Sequence, residues 1–123
     1  MCKILVIDDD SASLTLVTLV LLRAGHHVYS ANNADDGYAL ARQLRPHIIL
    51  LNDGMPHMSG GELCRLLKAD SRYQSLPVIM HSANSRLNDP VYVASIGADG
   101  VLLKPCPPHD LLATVNNYLQ LVG

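Results

Sequence analysis

The sequence predicts an α/β fold of the doubly wound kind, and three observations carry that prediction. Short runs of branched aliphatic residues alternate five times with longer stretches of helical period. The runs Ile4-Leu5-Val6-Ile7 and Ile48-Ile49-Leu50-Leu51 are apolar at successive positions, the habit of parallel strands covered on both faces. The chain has 123 residues, enough for one hydrophobic core and too few for a second domain, so residues 1–123 are expected to form one domain.

The elements follow in order. Lys3 to Asp8 reads as the first strand, and Ser11 to Ala24 as a helix capped by Asp10 or Ser11 and stopped by Gly25. Val28 to Ala31 is the second strand, and Ala34 to Leu44 a helix entered at Asn33 and ended by Pro46. Ile48 to Asn52 is the third strand, followed by a helix from about Gly61 to Ala69. Val78 to Ser82 is the fourth strand, followed by a helix from Pro90, capped by Asp89, to Ile96 before Gly97. Gly100 to Lys104 is the fifth strand, and Pro108 to Leu121 the last helix.

Composition excludes several classes of function. Apolar residues make up 49% and charged residues 16%, so the chain is globular throughout, without a disordered tail. The longest apolar stretch, Leu14 to Leu22, is broken by threonines and is too short to span a bilayer. The start runs into Asp8-Asp9-Asp10, unlike a secretory signal, which predicts a cytoplasmic protein. A net charge of −2 with no basic run argues against direct nucleic-acid binding. Cys2, Cys64 and Cys106 are far apart and read as buried or half-buried thiols, not as zinc ligands or a disulfide. The six histidines have no metal-ligand spacing; His57 lies nearest the acidic residues and is placed to tune them.

In doubly wound sheets ligands sit beyond the carboxyl ends of the strands, so the residues there are the candidates for chemistry. Adjacent Asp8 and Asp9 make an acidic mouth that suits a hard divalent cation, magnesium above all, although acids near a helix start also serve the helix. Ser82 offers a hydroxyl, and Lys104, followed by Pro105, an ammonium for the same mouth.

Together these residues resemble the response-regulator receiver domain of two-component, phosphorelay signalling, the chemotaxis-regulator type included. The resemblance runs through Ile4 to Asp10, Pro46 to Gly60, Pro77 to Ala83 and Gly97 to Pro105, and covers essentially the whole chain. It implies a flavodoxin-like five-stranded parallel sheet in the order 2-1-3-4-5 with five helices. It also implies that Asp8, Asp9, residue 52 and Gly54 form the magnesium site, that Ser82 and Lys104 contact a phosphoryl group, and that Lys104-Pro105 is a candidate cis peptide. The implied partners are a histidine kinase or a downstream signalling protein, and the domain is not an independent enzyme.

The chain departs from the family at the position that matters most. The phosphoacceptor position, four residues before Pro56, holds Asn52, and a carboxamide supplies no anionic nucleophile. Formal charge around the metal falls by one, which predicts weak magnesium binding. Asp53 is next in line, but successive strand side chains face opposite ways, so with Asn52 in the mouth Asp53 faces away. Val101 replaces the aromatic switch residue common three positions before the lysine, and Cys106 stands where phenylalanine is common.

These features predict a receiver-like module that acts by protein–protein interaction and is not phosphorylated as it stands. The alternatives are a phosphorylation-competent receiver, through Asp53 or because Asn52 is an engineered replacement of aspartate, and a small-ligand module on a flavodoxin-like scaffold. Helix one offers a candidate partner surface: with Leu14, Val17 and Leu21 facing the sheet, Leu16 and Leu19 fall on the outer side, although scattered surface leucines are also ordinary. A homodimer stays among the expected partners, though the last helix carries no charge after Asp110 to lace one together.

Overall fold

Strand and helix alternate in the predicted order. The computed structural model describes residues 2–122, with side chains described to residue 119. The elements are β1 (Lys3–Ile7), α1 (Ser11–Arg23), β2 (His27–Ala31), α2 (Ala34–Leu44), β3 (Ile48–Leu51), α3 (Gly60–Ala69), β4 (Val78–Ser82), α4 (Pro90–Ile96), β5 (Gly100–Leu103) and α5 (Pro108–Val122). The strands pair in parallel in the order 2-1-3-4-5.

Three strands stop one residue short of the sequence expectation. Asp8, Asn52 and Lys104 still donate their backbone N–H groups to Ala31, Ile7 and Ser82 at 2.9–3.0 Å, but the chain leaves the ladder there. The three side chains therefore sit on the rim. β2 begins one residue early because the His27 N–H reaches the Cys2 carbonyl. α1 ends at Arg23, with Ala24 as its cap, and α5 continues to Val122. α3 begins at Gly60 because Ser59 caps it, accepting from the Glu62 N–H at 3.1 Å. One element was not anticipated: a 3₁₀ turn, Ser85–Asn88, between β4 and α4, capped by Asn84.

Two cores lie on the two faces of the sheet, and the strand period divides them. Ile4, Val6, Ile48, Leu50 and Ile79 pack with Val17 and Leu21 of α1 and Leu111 and Val115 of α5. Leu5, Ile7, Ile49, Leu51 and Met80 pack with Leu63, Cys64 and Leu67 of α3 and Ile96 of α4. The α1 pattern is as expected, with Leu16 and Leu19 outward, and Leu22 joins them. On α5, Leu111 and Val115 are buried and Tyr118 is half-buried.

Candidate functional site

Period-two alternation decides what meets at the rim. Residues 4, 6 and 8 point to the α1/α5 side, as do 48, 50 and 52, and 79 and 81. This brings Asp8 and Asn52 together and adds a residue that the sequence reading did not place there, His81.

Asp8 is buried, and its carboxylate accepts from Lys104 Nζ at 2.6 Å and from the Asp10 N–H at 3.0 Å. Asp10 caps α1, accepting from the Ala12 N–H. Asn52 Nδ2 donates to Asp9 Oδ1 at 3.1 Å and to the Gly54 carbonyl at 3.3 Å. That orientation of the carboxamide is dictated by its neighbours, because its oxygen turned toward a carboxylate and a carbonyl would meet two acceptors. The Lys104–Pro105 peptide is cis. His81, only 6% exposed, is lowered to about 4 by burial and by the nearby Lys104 charge, with Asp8 opposing, so it is neutral at pH 7.

Ser82 ends β4 and is buried, and it makes no hydrogen bond to Asp8, Asn52 or Lys104. Its hydroxyl accepts from the Asn84 N–H at 3.2 Å and so serves the turn that follows β4. Val101 is half-buried against the core on the α3/α4 side. His57 is exposed in a left-handed turn, with φ of 68°, and makes no hydrogen bond to the acids, so His81 and not His57 is the histidine beside them.

Residues 49, 51 and 53 point to the other face, and Asp53 is fully buried there. Its Oδ1 accepts from the Gly61 N–H at 2.9 Å, Arg86 Nη2 at 2.9 Å and Tyr92 Oη at 3.1 Å. Its Oδ2 accepts from Arg86 Nε at 2.5 Å and Asn84 Nδ2 at 3.2 Å. Burial pushes the carboxyl up, but the bonds from Arg86, Gly61 and Tyr92 outweigh it and hold Asp53 below the usual carboxylate range. The Arg86 guanidinium also stacks over the Tyr92 ring, 4.5 Å from its centroid. Glycines make room for this arrangement: a Cβ on Gly61 would run into Tyr92 Oη, and one on Gly60 into the Asn52 carbonyl. The sequence signal was the pair Gly60-Gly61 together with an aspartate at an inward position of an apolar strand.

The response regulator receiver domain model matches residues 4–116. The chain belongs to that family. This receiver domain is similar over 97% of its length to protein PilH of Pseudomonas aeruginosa, at 35% identity and covering 98% of that protein. It is 38% identical to the DNA-binding dual master transcriptional regulator RpaA of Synechocystis and 34% identical to the DNA-binding response regulator MtrA of Mycobacterium tuberculosis, covering 98% and 96% of this chain. The chain spans about half the length of those two regulators.

Solved structures agree. The receiver resembles chemotaxis protein CheY4 of Vibrio cholerae with a TM-score of 0.89 at 29% identity, covering 96% of this chain and 98% of that one. It resembles a CheY-like receiver domain protein of Methanospirillum hungatei with a TM-score of 0.90 at 30% identity, covering 99% and 96%. Receiver domains are in general signalling modules that interact with histidine kinases and downstream effectors and typically bind magnesium at the acidic pocket.

This receiver's donor set fits that metal poorly. Asp8 and Asp9 remain, but one carboxylate is held by Lys104, and the other shares the Asn52 amide with the Gly54 carbonyl. A cation would require the amide to turn its oxygen inward and break both bonds. Among the described residues no three His, Cys, Asp or Glu side chains gather as a metal site. Cys2, Cys64 and Cys106 are free thiols, and burial pushes Cys64 up to about 12. No helix among the described residues is long and apolar enough to cross a membrane.

Proposed function

We propose that residues 1–123 form one receiver domain that signals by binding a protein partner in a single state, without phosphorylation at residue 52. The observation that carries this reading is the Asn52 carboxamide. It donates hydrogen bonds to Asp9 and Gly54, two of the groups a magnesium ion would use, and offers no anionic oxygen for phosphoryl transfer. Asp53 is a poor substitute, since both its oxygens are engaged on the opposite face and none is open to an in-line donor.

The same carboxylate supports the single-state reading. Through Arg86, Asn84 and Tyr92 it ties the end of β3 to the segment between β4 and α4, so that segment is held without any phosphoryl group. Magnesium binding is weak, and the domain does no chemistry of its own. The partner is a histidine kinase or a downstream signalling protein in the cytoplasm, or a second copy of the chain. The exposed leucines of α1, Leu16 (59% exposed), Leu19 and Leu22, suit an apolar protein contact.

Incubation with magnesium and acetyl phosphate, followed by intact-mass measurement, tests the proposal. The protein as it stands is expected to gain no adduct, and Asn52→Asp to gain one phosphoryl group. An adduct on the unsubstituted chain that maps to Asp53 overturns the reading.

A further inference from the structure

The amino-terminal edge of the sheet, opposite the acidic rim, carries a groove of about 470 Å3 between α2, the turn into β3 and the turn into β4. Its position follows from Pro46, which precedes β3, and Pro77, which precedes β4. Arg42, Arg45 and Arg72 converge on it from three separate segments, and no Asp or Glu lines it. In a chain with a net charge of −2, three of the nine Lys and Arg residues on one groove make a local reversal of charge.

Two of these guanidinium groups have no anionic partner among the described residues. Arg42 stacks on Tyr38 at 4.9 Å, and neither it nor Arg45 makes a salt bridge. Arg72 is paired with Asp70 at 2.7 Å and stacks on Tyr73 at 5.2 Å. Arg45 also occupies the left-handed cap of α2, with φ of 49°, a conformation in which glycine is favoured and a side chain is strained. The groove floor is apolar, made by the buried Pro46, Tyr73 and Pro77.

From this arrangement we infer that the groove binds a small phosphate monoester with a flat apolar body, a nucleoside monophosphate being its simplest form. A phosphate monoester carries close to two negative charges at neutral pH, which matches the two unpartnered arginines. The planar guanidinium fork suits phosphate oxygens, and the groove volume lies in the range of small-molecule sites. The base would lie on the Pro46–Tyr73–Pro77 floor with the phosphate at the arginine rim. The site is remote from the acidic rim and stands independently of the proposed signalling role.

Titration of the full chain with AMP at constant ionic strength, followed by calorimetry and by amide chemical shifts, tests this. Saturable binding is expected, with shifts confined to residues 42–47 and 72–77. The double variant Arg42→Gln/Arg45→Gln is expected to weaken AMP by about tenfold or more, and adenosine without phosphate to bind as poorly to the unsubstituted chain. Both arginines are exposed, so an unchanged urea midpoint will show that the variant folds. Arg23→Gln, outside the groove, is expected to leave affinity unchanged. Absence of saturable shifts at millimolar AMP, or an equal loss in Arg23→Gln, overturns the proposal. So does arginine-dependent binding to phosphatidylserine vesicles in a protein that ignores AMP, which would make the groove a membrane contact.

Discussion

Arg86 reaches across 33 positions of sequence to place its Nε 2.5 Å and its Nη2 2.9 Å from the two oxygens of the fully buried Asp53. This bidentate pair is the main polar tie between the end of β3 and the segment leading into α4. Removing one partner leaves a buried carboxylate with only Gly61, Asn84 and Tyr92 to satisfy it. Arg86→Gln should therefore cost about 2–3 kcal/mol, below the full cost of breaking a buried pair because Arg86 is itself half-exposed. Urea unfolding of Arg86→Gln, Asp53→Asn and the double variant should show coupling of about 1 kcal/mol or more. Additive losses would mean that the two groups do not depend on each other.

At the acidic rim, Asn52→Asp adds a third carboxylate and removes the amide that bonds Asp9 and Gly54. Magnesium affinity should rise about tenfold or more, since each added carboxylate oxygen strengthens a hard-cation site. Calorimetric titration of the two proteins with magnesium chloride checks this, and equal affinities would show that the carboxamide oxygen ligates as well as a carboxylate.

Stability should fall with acid in two steps. His81 takes a proton near 6.5 in the unfolded chain but only near 4 when folded. Between those values the unfolded state binds more protons, so the stability present above pH 6.5 is lost as pH drops through this window. Between pH 7 and pH 5 the loss should be about 2 kcal/mol. Asp53 acts in the same direction lower down: its contribution is complete above its unfolded value of 3.8 and disappears as pH falls through the depressed folded value. His81→Gln should abolish the first step and retain the second in urea titrations at each pH.

The three glycines near the site differ in what a methyl group would meet. Gly60→Ala would press on the backbone of Asn52, which cannot move without breaking β3, and should be the most destabilising. Gly61→Ala would displace the Tyr92 hydroxyl from Asp53 and should cost about 1–3 kcal/mol. Gly54→Ala meets nothing within 4 Å and should leave thermal stability unchanged. A ranking by thermal unfolding in any other order would count against the packing described.

Much of this molecule was legible in the order of its residues. The consecutive aliphatics of β1 and β3 required a sheet covered on both faces, and Asp89 with Pro90 marked the start of α4. The strand period placed Asn52 and Asp53 on opposite faces, and that residue 52 carries a carboxamide and no anionic oxygen is a statement of composition that needs no coordinates. Local rules sufficed there because they depend on neighbours along the chain.

The tertiary structure alone decided who completes each carboxylate. Asp8 finds Lys104 96 positions away, Asp53 finds Arg86 and Tyr92, and His81 in place of His57 comes to lie beside the acids. Arg42, Arg45 and Arg72 share a groove only because α2 and the turn before β4 meet below the sheet. Such pairings are set by how helices and strands stack in space, and electrostatic attraction reads distance through space, whatever the separation along the chain.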